Sequence, residues 1–87
     1  MIDLGTIVYD LQKSLIAGNP EDITQLLQTS DGNGMTLLHW ATVLEYPSVV
    51  RELLRQGADK YKETNLGLTA RDIALMWDYK KIADMLN

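Results

Sequence analysis

Histidine occurs once in the chain, at position 39, and cysteine does not occur at all. An imidazole works as a general base or a metal ligand only beside a nucleophile, an orienting carboxylate or further ligands. Here no cysteine or second histidine completes a nucleophile pair or a metal set, and a thiolate zinc site is excluded. The adjacent acids Glu21 and Asp22 invite a general acid and base reading. Neighbouring residues on a helix point in different directions, however, and nothing nearby marks a cleft that would raise a carboxyl pKa. Gly32-Asn33-Gly34 is too short for a phosphate loop, since it lacks both the longer glycine span and a following Lys-Ser/Thr pair. The expectation is a chain with no catalytic residue, no metal site and no cofactor, and not an enzyme.

The elements that carry these residues are bounded by length and composition. Eighty-seven residues make one domain at most, small enough that a single core is marginal unless its packing is unusually regular. An apolar content of 46% and a charged fraction of 23% argue for a folded chain. No apolar run approaches a membrane span, and Asp3 close to Met1 is unlike the basic start of a secretion signal. A soluble, cytoplasmic protein with no membrane partner is expected. The net charge is -4, and residues 1–34 hold Asp3, Asp10, Glu21, Asp22 and Asp31 against Lys13 alone. Nucleic-acid affinity rests on clustered Lys and Arg, so no nucleic-acid partner is expected. The acidic end reads as a solvated surface or as a patch that steers a basic partner.

Along the chain, Leu4, Ile7, Val8, Leu11 and Leu15 share one face of a helix that Asp3 or Thr6 caps and Gly18 stops. Pro20, Glu21 and Asp22 read as the first turn of a second helix, with Ile23, Leu26 and Leu27 as its apolar face. Asp31 to Gly34 supplies turn chemistry. Thr36 caps a helix that presents Leu38 and Ala41 to the core, and Pro47 opens another, lined by Val49, Val50, Leu53 and Leu54 and ended by Gly57. The polar stretch between Ala58 and Gly67 reads as a hairpin loop. A last helix carries Ile82, Ala83 and Leu86.

This pattern repeats. Gly34, Thr36, Ala41, Val49 and Leu53 recur as Gly67, Thr69, Ala74, Ile82 and Leu86, every pair at the same offset. The order Thr36, Leu38, His39, Ala41 resembles the Thr-Pro-Leu-His-x-Ala signature of the ankyrin repeat, and the offset from Gly34 to Gly67 equals that family's period of about 33 residues. The resemblance implies an all-α solenoid of stacked helix-turn-helix pairs joined by short hairpin loops. It also implies one domain, residues 1–87, with repeats at about 3–30, 31–63 and 64–87, the first and last degenerate. In that family the histidine matched by His39 hydrogen-bonds within and between the loops that join repeats, which implies a structural role. The step from Leu27 to Gly34 is about half that from Leu54 to Gly67, so one projecting hairpin is expected to be missing. The last repeat departs from the signature: Ala70, Arg71 and Asp72 replace proline, leucine and histidine.

Two tryptophans differ in their alignment to the repeat. Trp40 stands where the family places a large apolar group between repeats. Trp77 corresponds to Leu44 and Met76 to Val43, at the end of the first helix, where ankyrin repeats usually vary on a concave groove. Met35, Leu66 and Leu68 at the hairpin bases extend this run of apolar side chains, and Glu63 and Asn65 give it a polar rim. Exposed apolar surface of this kind marks a contact site, and Trp is enriched at interface hot spots.

The expected function is protein recognition by a small adaptor or inhibitor that grips a protein partner through its groove and hairpin tips, as a monomer or weak homo-oligomer. The alternative is the non-catalytic regulatory or targeting segment of a larger enzyme. The stretch Thr69 to Leu86 resembles the end of the ankyrin segment preceding the catalytic domain in peroxisomal NADH-cleaving Nudix hydrolases, although no Nudix box lies in these residues.

Overall fold

Leu4, Val8 and Leu11 are buried along one side of α1 (Leu4–Ile16), with Ile7 and Leu15 half-buried beside them. This is the three-and-four spacing expressed as one helical face. Asp3 is the cap: its carboxylate accepts from the Thr6 backbone N–H at 3.3 Å and from the Thr6 hydroxyl at 2.9 Å. The computed structural model describes residues 3–87. After α1 come a 3₁₀ turn (Thr24–Leu26), α2 (Leu37–Val43), α3 (Pro47–Arg55), α4 (Ala70–Met76) and α5 (Lys80–Met85), with no strand among the described residues. Successive helices stack in pairs: α1 lies on α2 and α3, α2 on α3 and α4, α4 on α5, and α3 on α5. None of these helices is long and apolar enough to cross a membrane.

The second helix expected from Pro20 does not form. Only the 3₁₀ turn is present, and two side chains explain why. The Asp22 carboxylate accepts from the Thr24 N–H at 3.0 Å and from the Thr24 hydroxyl, a local turn that competes with helical bonding. Gln56, from the end of α3, donates to the Glu21 carbonyl at 2.8 Å and accepts from the Ile23 N–H at 2.9 Å. Gln56 in turn donates to Glu52, whose carboxyl is held at a pKa of about 2 by hydrogen bonds from Arg55 and Gln56. The segment still delivers Ile23 and Leu27 to the core, as the apolar pattern requires.

The hairpin turn before α2 recurs before α4. The Asp31 carboxylate accepts from the N–H groups of Asn33 and Met35, and the Thr64 hydroxyl accepts from those of Leu66 and Leu68. Asp31 N–H donates to the Met35 carbonyl, as Thr64 N–H does to the Leu68 carbonyl. Pro47 opens α3 because its missing donor is not needed in a first turn. Val49, Val50 and Leu53 are fully buried, and Ala41 and Ala74 are small enough for close helix crossing.

Candidate functional site

The hairpin tips meet face to face. Asn65 N–H donates to the Asn33 carbonyl at 3.0 Å and the Asn65 side chain donates to the Gly32 carbonyl at 2.9 Å. This approach requires glycine at position 34: its φ is 76°, and a Cβ there would lie 2.7 Å from the Asn65 backbone nitrogen. His39 locks the same junction from beneath. An amide N–H can only donate and a carbonyl only accept, so Nδ1 accepts from Thr36 N–H at 3.1 Å and Nε2 carries the proton given to the Leu68 carbonyl at 3.0 Å. Burial depresses the His39 pKa against the opposing pull of the Leu68 carbonyl. Every bond of the ring goes to the repeat framework, which is the structural role implied for it.

Asp72 stands in for histidine in the next pair, and its carboxylate can serve only its own helix. It accepts from Thr69 N–H at 3.0 Å while its backbone N–H donates to the Thr69 hydroxyl at 3.1 Å, a closed capping box. Trp40 is half-buried against the core and donates from Nε1 to Asp31 at 3.0 Å. Burial works against the Asp31 charge, but the bonds from Trp40, Met35 and Asn33 outweigh it and hold the carboxyl below its ordinary value.

The residues singled out for partner binding fall into two neighbouring sets. Met35, Asn65, Leu66 and Leu68 line a depression of about 270 Å³ at the hairpin bases, together with Asn33, Thr64 and Ile73. Leu66 is 84% exposed, Met35 and Leu68 are half-buried, and Glu63 is exposed beside them. Val43 and Leu44 end α2, and Met76 and Trp77 end α4 at the equivalent positions. Of these, Met76 is 66% exposed, Trp77 62% and Leu44 38%, while Val43 is half-buried. Ile73 and Trp77 are one turn apart on α4, so the helix face leads from the depression toward the exposed indole.

Ile73 is not among the residues singled out from the sequence, although the repeat register aligns it with Trp40 and could have found it. Leu75 is a second omission. It is 53% exposed where its equivalent, Thr42, is sealed inside the stack, because no helix lies on that side of α4 among the described residues. The described residues place no group of three or more His, Asp or Glu where they could share a metal ion.

Comparison with known proteins agrees with this geometry. The family model described as ankyrin repeats (3 copies) matches residues 8–87. The NAD-capped RNA hydrolases NUDT12 of Macaca fascicularis, Pongo abelii and Homo sapiens are each 39% identical to the chain over 61 residues. That stretch is 70% of this chain but 13% of the length of those relatives. A match across residues 8–87, on a stack of helix pairs whose caps and hairpin turns recur from one repeat to the next, means that the chain belongs to the ankyrin repeat family, a protein-interaction module type.

Proposed function

We propose that residues 1–87 form a single recognition domain, a small cytoplasmic adaptor or inhibitor. It holds a protein partner along the row of inner-helix ends and at the hairpin bases, and performs no chemistry. The observation that supports this reading is the exposure of Trp77, Met76 and Leu66 together, large apolar side chains that folding leaves in water. A fold made by local repetition can stand as a monomer or weak homo-oligomer, and its acidic balance disfavours nucleic acid. The test is a pull-down from native cell extract with wild type and Trp77→Ala as parallel baits. A protein retained by the first and lost by the folded second is expected; identical captures would remove the groove from the proposal.

A second reading is favoured by the 39% identity to hydrolases much longer than this chain. In it the same surface serves as the regulatory or targeting segment of a larger enzyme, such as a Nudix-type hydrolase. The source transcript separates the two: an open frame running from Asn87 into a hydrolase domain supports the segment, and a stop codon there supports the free adaptor.

A further inference from the structure

We propose that the partner segment held by this row is both apolar and basic, its large apolar side chains resting on Leu44, Met76 and Trp77 while Lys or Arg side chains engage Glu45 and Asp78. The proposal rests on the reading of the row as a protein-binding surface and adds the chemistry of what binds. Glu45 directly follows Leu44 at the end of α2, and Asp78 directly follows Trp77 at the end of α4. Both acids are exposed. Because α2 packs on α4 in register, the two acids stand beside the two apolar side chains at the same level of the stack.

Among the described residues neither carboxylate is engaged. The ion pair formed among them joins Arg55 to Glu52 within α3, and no side-chain hydrogen bond is made there by Glu45 or Asp78. Lys80 and Lys81 follow Asp78 closely and are exposed, yet form no ion pair with it. Local folding does not ask for acids here either. Both residues have left-handed backbones, with φ of 58° and 60°, and the corresponding residue after α1 is Gly18, with φ of 75°. Glycine is the residue that takes this conformation without strain.

Charge complementarity then selects the occupant. An acidic segment, or a phosphate backbone, laid on Leu44 and Trp77 would set like charges against Glu45 and Asp78 in a protein already at net charge -4. A basic segment gains at both points and is drawn in by the overall field. Packed helices lie about 8–10 Å apart, a distance spanned by about three residues of extended chain. The fitting pattern is therefore a cation at every third position with large apolar residues between.

The test uses two synthetic twelve-residue peptides, one with Lys or Arg at every third position and Leu between, the other with Glu in place of the cations. Backbone amide shifts of the labelled protein are followed on titration. The basic peptide should shift residues 43–45 and 76–78 and bind more tightly than the acidic one. The double variant Glu45→Gln/Asp78→Asn should weaken it roughly fivefold and flatten its salt dependence, while Asp10→Asn should leave both unchanged. Equal binding of the two peptides, no binding of either, shifts centred on the acidic amino-terminal residues, or an unaltered double variant would each overturn the proposal. If Trp77→Ala still abolishes binding when the double variant does not, the apolar row survives as a protein-binding surface and only the charge selection fails.

Discussion

His39 Nε2 donates to the carbonyl of Leu68, far along the chain, at 3.0 Å, and so ties the base of one hairpin to the next. The ring must be neutral to do this while accepting from Thr36 N–H at Nδ1. Burial holds its folded pKa below the ordinary 6.5. A group with a depressed folded pKa contributes stability that is complete above its unfolded pKa and lost as pH falls through the folded one. The melting temperature should therefore begin to decline below about pH 6.5. His39→Gln should lower stability at neutral pH by about 1–3 kcal/mol, the cost of disturbing buried hydrogen bonds, and should remove that first acid decline. Thermal melts of both proteins from about pH 8 to pH 5 check this, and parallel curves would contradict it.

Gly34 and Gly67 occupy the same place in successive hairpins, with φ of 76° and 79°, yet their surroundings differ. A Cβ at Gly67 meets nothing closer than Glu63 Oε1 at 3.8 Å, whereas at Gly34 it meets the Asn65 backbone nitrogen at 2.7 Å. Gly67→Ala should cost about 1–2 kcal/mol of left-handed strain. Gly34→Ala should cost that and a further ~1–3 kcal/mol for forcing the hairpins apart. Urea unfolding of the two variants measures the difference, and equal midpoints would show that the hairpin contact is not tight.

Glu45 and Asp78 carry left-handed strain that glycine would relieve. Glu45→Gly should be neutral or stabilising by up to about 1 kcal/mol, the strain relieved less the extra backbone entropy of glycine. Unfolding midpoints test this; a clear loss of stability would mean that the carboxylate is needed by the fold.

Leu53 is fully buried where α3 packs on α1, α2 and α5. Leu53→Ala should cost ~2–5 kcal/mol, which in a stack this short can exceed the whole margin of stability. A melting temperature within a few degrees of wild type would show that the core lies elsewhere.

The repeat is legible because its devices are local: Thr36, Pro47 and Gly57 announce their helix ends, and the repeat register carries the core from Leu53 to Leu86. Pro20, Glu21 and Asp22 announce a helix start just as plainly and mislead, because the local Asp22 turn is joined by bonds from Gln56, which reaches the segment only once α3 has folded back. The demand for glycine at Gly34 is hidden for the same reason, since its neighbour is Asn65. Trp77 and Met76 are legible as surface because large apolar residues stand at variable positions of the repeat. Glu45 is not, since glutamate does not signal a left-handed backbone, whereas Asp78 is of a type that visits it.

On the proposed function, the row ending at Trp77 binds a protein and is not needed for folding. The affinity of the captured partner for wild type and Trp77→Ala, measured by calorimetry beside a melt of each, tests it most directly. Trp77→Ala should lose ~2 kcal/mol or more in affinity with a change in stability far smaller than that of Leu53→Ala. Undiminished affinity, or unfolding as severe as that caused by Leu53→Ala, would contradict it.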